Sequence, residues 1–246
     1  MHSLSTIIGF ISFGFAVFIV IYPEYAEVVG IALMVATITL IMMESRGSKK
    51  ILINEGKTSL IMEYGDIMGV KDGIVVIPFD RNYNTSVDDV IISHKSLHGQ
   101  FIDTIGQDEV CCLIASRLRS VPNFERSFDL QPLGCVLDIP VGECNYYLLA
   151  LSKLDQYYKA QCTYEEYVYA LNRLMDYADV NLNGRKLYIP LIGGGLSDVF
   201  RSLSSTESLQ MMVSLLKMSQ RTSRIKEIHV VINKESEDYA HIQNVY

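Results

Sequence analysis

Two long uncharged runs open the chain, Leu4 to Tyr22 and Val28 to Met43, separated by the polar break Pro23-Glu24-Tyr25-Ala26-Glu27. At about 1.5 Å per residue they reach about 28 Å and about 24 Å as helices, close to the roughly 30 Å of a bilayer's hydrocarbon. The pattern therefore predicts a two-helix transmembrane hairpin in residues 1–45, with spans at about 4–22 and 28–43. No basic segment precedes the first run and no small-residue cleavage site follows it, so a removable signal peptide is not expected. From residue 46 onward the apolar runs become short. Ile51–Ile53 and Ser59–Tyr64 flank the turn residues Asn54, Glu55, Gly56 and Lys57 and predict a β-hairpin. Gly73-Ile74-Val75-Val76-Ile77-Pro78 is a β-branched run ending at proline, the pattern of a buried strand that stops where a loop begins. Helices are predicted at about Val87–Ile105 and Asp108–Arg119, followed by an apolar run at Gly134–Ile139. Strands at Tyr146–Leu154, Lys186–Ile192 and Lys226–Ile232 alternate with helices at Tyr164–Ala178 and Ser205–Ser219. Such alternation predicts one α/β domain over residues 46–246, with a sheet covered on both faces and mostly parallel in its later part.

Charge sharpens this division. Residues 1–45 hold no Lys or Arg and only three acids, Glu24, Glu27 and Glu44, so the rest of the chain carries all 21 basic side chains and most of the 28 acidic ones. A mildly acidic domain lacks the clustered basic face that polymeric nucleic acid requires, and DNA or RNA is excluded as a partner. Arg46, Lys49 and Lys50 follow the second span, whereas the loop between the spans has two acids and no base. The positive-inside rule then places the large domain and both termini in the cytosol, making a multi-pass protein of the inner membrane. Five cysteines without C-x-x-C spacing argue against a disulfide framework or a thiolate zinc site and suggest reduced, mostly buried thiols. No metal or cofactor is expected.

The segment Pro190-Leu191-Ile192-Gly193-Gly194-Gly195-Leu196-Ser197 is the most informative. Three consecutive glycines at a strand end can turn several N–H groups into one concavity with no Cβ to keep an anion away. Taken alone, a triple glycine is more often just a tight turn, and the spacing matches neither a Rossmann nor a Walker loop. Asp66 likewise could be an ordinary turn residue, although a carboxylate accepts only and so suits an exocyclic amine. His94 and His98 are four apart on a predicted helix, but Lys95 stands where a metalloprotease has its Glu, so surface or packing roles are expected. Asp88 and Asp89 are expected to cap a helix starting near Val90, and the tyrosines from Tyr157 to Tyr169 to serve packing or a subunit interface.

Tyr64-Gly65-Asp66-Ile67, Val75-Val76-Ile77-Pro78-Phe79-Asp80 and Tyr188-Ile189-Pro190-Leu191-Ile192-Gly193-Gly194-Gly195-Leu196 together resemble the macro domain family in order and spacing. The resemblance implies a macro-like mixed sheet between helices that binds an ADP-ribose-type nucleotide. It implies that Asp66, assisted by the Ile67 backbone, accepts from the adenine amino group. Ile192, Gly193, Gly194, Gly195, Leu196 and Ser197 would wrap the diphosphate, and Phe79, Asp80, Arg81, Asn82 and Asn84 would approach the distal ribose. Hydrolytic members of that family carry an Asn-Ala-Ala-Asn-like stretch where this chain has Ile77-Pro78-Phe79-Asp80-Arg81-Asn82, so recognition without catalysis is expected, with an ADP-ribosyl hydrolase as the alternative. The stretch Asn84–Phe101 and the N-terminal hairpin further resemble the macro-type effectors of Thoeris anti-phage defence. That likeness implies a TIR-domain, NAD-consuming partner enzyme, histidine-ADP-ribose as the signal, assembly into a homo-oligomer, and disruption of the lipid bilayer.

Overall fold

The computed structural model describes residues 48–119, 130–192, 202–219, 224–233 and 240–245, together with Gly30, Ile31, Met34, Val35, Ile38 and Thr39. The chain divides into two compact units, Met1–Gly47 and Ser48–Tyr246. Most of the predicted membrane hairpin lies outside the described residues. Its six described residues are helical, and Ile31, Met34, Val35 and Ile38 are exposed apolar side chains. Among the described residues, no helix is long and apolar enough to cross a membrane.

The second unit is built on an eight-stranded mixed sheet. Its strands are β1 (Lys49–Ile53), β2 (Thr58–Tyr64), β3 (Gly73–Asp80), β4 (Val136–Val141), β5 (Cys144–Leu154), β6 (Ala160–Gln161), β7 (Lys186–Pro190) and β8 (Glu227–Ile232). Their order is β1-β2-β8-β7-β3-β5-β4, with β6 on β5. The five central strands run parallel, and β1, β4 and β6 add antiparallel edges. Alternation along β3 explains its unbroken apolar run: Ile74 and Val76 enter one core, and Val75, Ile77 and Phe79 the other.

Among the described residues, four α-helices cover the two faces: α1 (Leu97–Ile105), α2 (Gln107–Leu118), α3 (Tyr164–Asn181) and α4 (Ser205–Met218). Leu171, Leu174, Met175 and Ala178 of α3 and Leu209, Met212, Val213 and Leu216 of α4 share one core with Leu60, Leu149, Leu187 and Ile228. Phe101 and Ile102 of α1 and Val110 and Ile114 of α2 pack with Val75, Ile77, Ile139 and Leu148 on the opposite face. The starts of α3 and α4 are fixed by capping boxes, Thr163 with Glu166 and Ser204 with Glu207, each satisfying two otherwise orphaned N–H groups.

Several expectations change. Gly73–Pro78 does not stop at its proline, because β3 continues to Asp80 along β5, with a register shift between Phe79 and Asp80. The helix expected from Val87 begins only at Leu97, where the Ser96 side chain accepts from Gly99 N. Asp88 and Asp89 fold a turn in place of capping a helix: Asp88 Oδ1 accepts from Val90 N and Ile91 N, and Asp89, at φ 58°, accepts from His94 N. Cys111 and Cys112 are exposed, and only Cys162 is fully buried, so the thiols are free but not mostly buried. Of the tyrosines between 157 and 169, Tyr167 is packed, whereas Tyr157, Tyr158, Tyr164 and Tyr169 are exposed.

Candidate functional site

The carboxyl ends of the parallel strands lie along one edge of the sheet, where open α/β sheets present their ligand sites. β3 and β7 pair only over Gly73–Val75 and Lys186–Tyr188, although β3 continues to Asp80 and β7 to Pro190. Beyond that point each strand carries a proline, Pro78 or Pro190, and neither can donate a ladder hydrogen bond. The strands part there. A cavity of about 410 Å³ occupies the gap, walled by Pro78–Asp80, Pro190–Ile192, Leu151, Ser152 and Leu154 of β5, Tyr158, Ala160, and two stretches of the segment before and into α1, Ile91–Ser93 and Ser96–His98.

Asp80 is buried, and its carboxylate organises the loop that leaves β3. Oδ1 accepts from Asn82 N at 2.9 Å and Asn84 Nδ2 at 2.8 Å, and Oδ2 accepts from Asn84 N at 3.1 Å. Burial raises its pKa above the ordinary carboxylate value, and these hydrogen bonds oppose the rise. Tyr83 takes a left-handed φ of 51° at the apex of the loop, and its buried hydroxyl donates to Cys135 O at 3.0 Å. Burial lifts its pKa well above the ordinary phenol value. Arg81 turns to a different neighbour, with Nε donating to Gln131 O at 2.7 Å.

Of the side chains singled out from sequence, Phe79, Asp80 and Ile192 stand in the cavity wall, whereas Arg81, Asn82 and Asn84 do not. Asp66 stands at the end of β2 as an exposed cap of the short Ile67–Gly69 turn, with Oδ1 accepting from Met68 N at 2.9 Å. Ile67 is buried beneath it against Val75, Ile77 and Val231. Gly193, Gly194, Gly195, Leu196 and Ser197 lie outside the described residues, which end here at Ile192 as the chain leaves β7.

The residue that sequence reasoning missed is His98. Its ring lies against Phe79, tilted at 45° with centroids 3.6 Å apart, and Nε2 lies 3.0 Å from Asn84 O. Burial depresses its pKa to about 4, so the imidazole is neutral at physiological pH. A carbonyl oxygen only accepts, so Nε2 carries the proton and Nδ1 is left as an acceptor. His94, before the helix, faces elsewhere: Nδ1 meets Asp103 Oδ2 at 2.6 Å, and that carboxylate raises its pKa. The two histidines therefore do not share a helix face. Among the described residues no cluster of His, Cys, Asp or Glu could hold a metal ion. The rim is completed by a bridge between Val87 and Ile92 and by the turn at Asp155, whose Oδ1 accepts from Tyr157 N and Lys159 N and which carries Tyr158 at φ 59°.

Comparison with known proteins agrees with this architecture. Residues 60–233 match the family described as the macro domain of Thoeris protein ThsA. Thoeris protein ThsA of Bacillus amyloliquefaciens (strain Y2) is 23% identical over 184 residues, which cover 72% of this chain and 61% of that protein. The chain thus spans less than two thirds of that relative. Among solved structures, a glycine-to-valine mutant of the Oceanobacillus iheyensis macrodomain with ADPR aligns at a TM-score of 0.54 and 14% identity, covering 80% of this chain and 95% of the other. The same macrodomain with ADP gives a TM-score of 0.50 at 14% identity, covering 80% and 93%. At such identities the likeness is one of fold. With its family match running from β2 to the residue after β8, the chain belongs to the ThsA macro-domain family of Thoeris proteins.

Proposed function

We propose that the chain is a Thoeris anti-phage effector whose macro domain binds an ADP-ribose derivative, histidine-ADP-ribose in the leading reading, without turning it over. One observation carries the binding reading: three features suited to one elongated nucleotide lie in sequence along the carboxyl edge of the sheet. Asp66 stands two residues beyond β2, Ile192 two residues beyond β7 and just before Gly193–Gly195 in the sequence, and the cavity lies beyond, over β3 and β5. Neighbouring strands are about 4.8 Å apart, so β2 and β7 are separated by about 10 Å and the cavity begins one strand further on. A base at Asp66, a diphosphate where the chain leaves β7 at Ile192 and a sugar in the cavity fit that spacing. The ADPR and ADP carried by the Oceanobacillus macrodomain structures are nucleotides of this kind. Recognition in preference to hydrolysis is supported by Asp80, the one carboxylate in the described cavity wall, whose oxygens are already engaged by Asn82 and Asn84.

In this reading the first unit anchors the protein as a two-helix hairpin in the inner membrane, with the macro domain in the cytosol. A TIR-domain enzyme that consumes NAD supplies the signal, and the liganded chains assemble and compromise the bilayer. Ile31, Met34, Val35 and Ile38 support a lipid or protein environment, being 64%, 64%, 58% and 46% exposed at helical spacing. Signal-driven assembly requires tighter ligand binding to the assembled state than to the single chain. Titration calorimetry of the full chain in detergent with ADP-ribose and histidine-ADP-ribose tests the reading. The expected result is preference for the histidine adduct, with binding lost in Asp66→Ala and Gly194→Glu; binding of neither nucleotide would sink it. Recovery of a shortened ligand after prolonged incubation would favour a membrane-tethered ADP-ribosyl hydrolase.

A further inference from the structure

The cavity wall has a polar composition that narrows what it can hold. No Lys or Arg is among its described residues, so the wall lacks the cation expected of a phosphate subsite. Most of its polar atoms are already used. Asp80 holds the loop, Ser96 Oγ donates to Ser93 O and accepts from Gly99 N, and Ser93 Oγ accepts from Lys95 N. Three side-chain groups of the wall have no hydrogen bond among the described residues: His98 Nδ1, the hydroxyl of Ser152, which is 6% exposed, and the hydroxyl of Tyr158, which is half exposed at the rim. Because Nε2 is bound to Asn84 O, the His98 ring cannot turn to offer its N–H without losing that bond. Contact with Phe79 also restrains the ring plane.

We propose that His98 is a specificity-determining residue, its bare Nδ1 accepting a hydrogen bond from a sugar hydroxyl of the ligand, with Ser152 alongside as the second contact. The inference rests on the reading that this cavity takes the sugar of an ADP-ribose derivative, and it adds how that sugar is selected. A neutral imidazole with a fixed tautomer is an acceptor that rejects a phosphate or carboxylate at the same place, because two acceptors would face each other without a proton between them. A hydroxyl-bearing group satisfies it. The cavity therefore distinguishes a nucleotide that continues past its diphosphate into a sugar from one that ends in phosphate.

The ratio of ADP-ribose to ADP affinity, measured on the full chain in detergent at neutral pH, tests the assignment, because ADP lacks the second sugar. His98→Phe keeps the ring on Phe79 but removes the acceptor; it is expected to weaken ADP-ribose about three- to tenfold while leaving ADP within about twofold. His98→Asn, which returns an acceptor to the position of Nδ1, is expected to recover most of the ratio. Equal weakening of both nucleotides by His98→Phe, or no effect on either, would overturn the role of His98 while leaving the nucleotide site in place. A wild-type chain that binds neither would remove the nucleotide reading and this inference with it.

Discussion

His98 and Asp80 face the same cavity with opposite responses to pH. The unfolded chain protonates His98 near its ordinary value of 6.5, whereas burial delays the folded chain to about 4. Its contribution to stability is therefore intact above pH 6.5 and lost as pH falls towards 4, by about 3 kcal/mol. Urea unfolding across that window is expected to show the loss in wild type and not in His98→Phe. Asp80 has its pKa raised by burial, so its contribution is present below the ordinary carboxylate value and lost as pH rises through the folded one. Its oxygens nevertheless tie down the loop, and Asp80→Ala is expected to cost about 1–3 kcal/mol by leaving the N–H groups of Asn82 and Asn84 unpaired, read as a lowered urea midpoint. At this scale the sequence was partly legible. The strand ends pointed to the loops, and the macro-domain resemblance of the motifs there named Phe79, Asp80 and Ile192. The inward turn of His98 depends on Asn84, fourteen positions away, a contact that no local pattern encodes.

The rim between β3 and α1 behaves as an element without regular secondary structure. Its acids read as helix-capping residues, yet their carboxylates bind N–H groups two to five positions ahead and hold a turn, an alternative that Asp offers the backbone as readily as a cap. Strands were easier to read because β-branched runs with both faces buried leave little ambiguity of period, as in β3 and β8. The rim is pressed against α1 at Gly99, where a Cβ would fall on the Ser93 carbonyl. Gly99→Ala is expected to displace Ser93 and His94, cost about 1–3 kcal/mol, and weaken nucleotide binding in the same calorimetric assay. Thr163→Ala, at the start of α3 and away from the cavity, is expected to cost about 1 kcal/mol in urea unfolding and leave binding unchanged.

At the scale of the whole molecule, the two units differ in how their described apolar side chains are covered. The sheet unit buries its apolar rows in two cores, whereas Ile31, Met34, Val35 and Ile38 of the first unit remain exposed. If these residues meet lipid, Val35→Arg places a charge in the second apolar run and costs about 2.5–3.5 kcal/mol of insertion, which alkaline extraction of membranes would register as release of the chain. The parting of β3 from β7 at Pro78 and Pro190 has a kinetic consequence. Pairing ends at Val75 and Tyr188 and the prolines beyond bring no N–H to extend it, so no ladder between β3 and β7 has to be broken there for entry. Stopped-flow binding is therefore expected to give a single rate that rises linearly with nucleotide concentration, and a plateau would place a slow rearrangement ahead of capture.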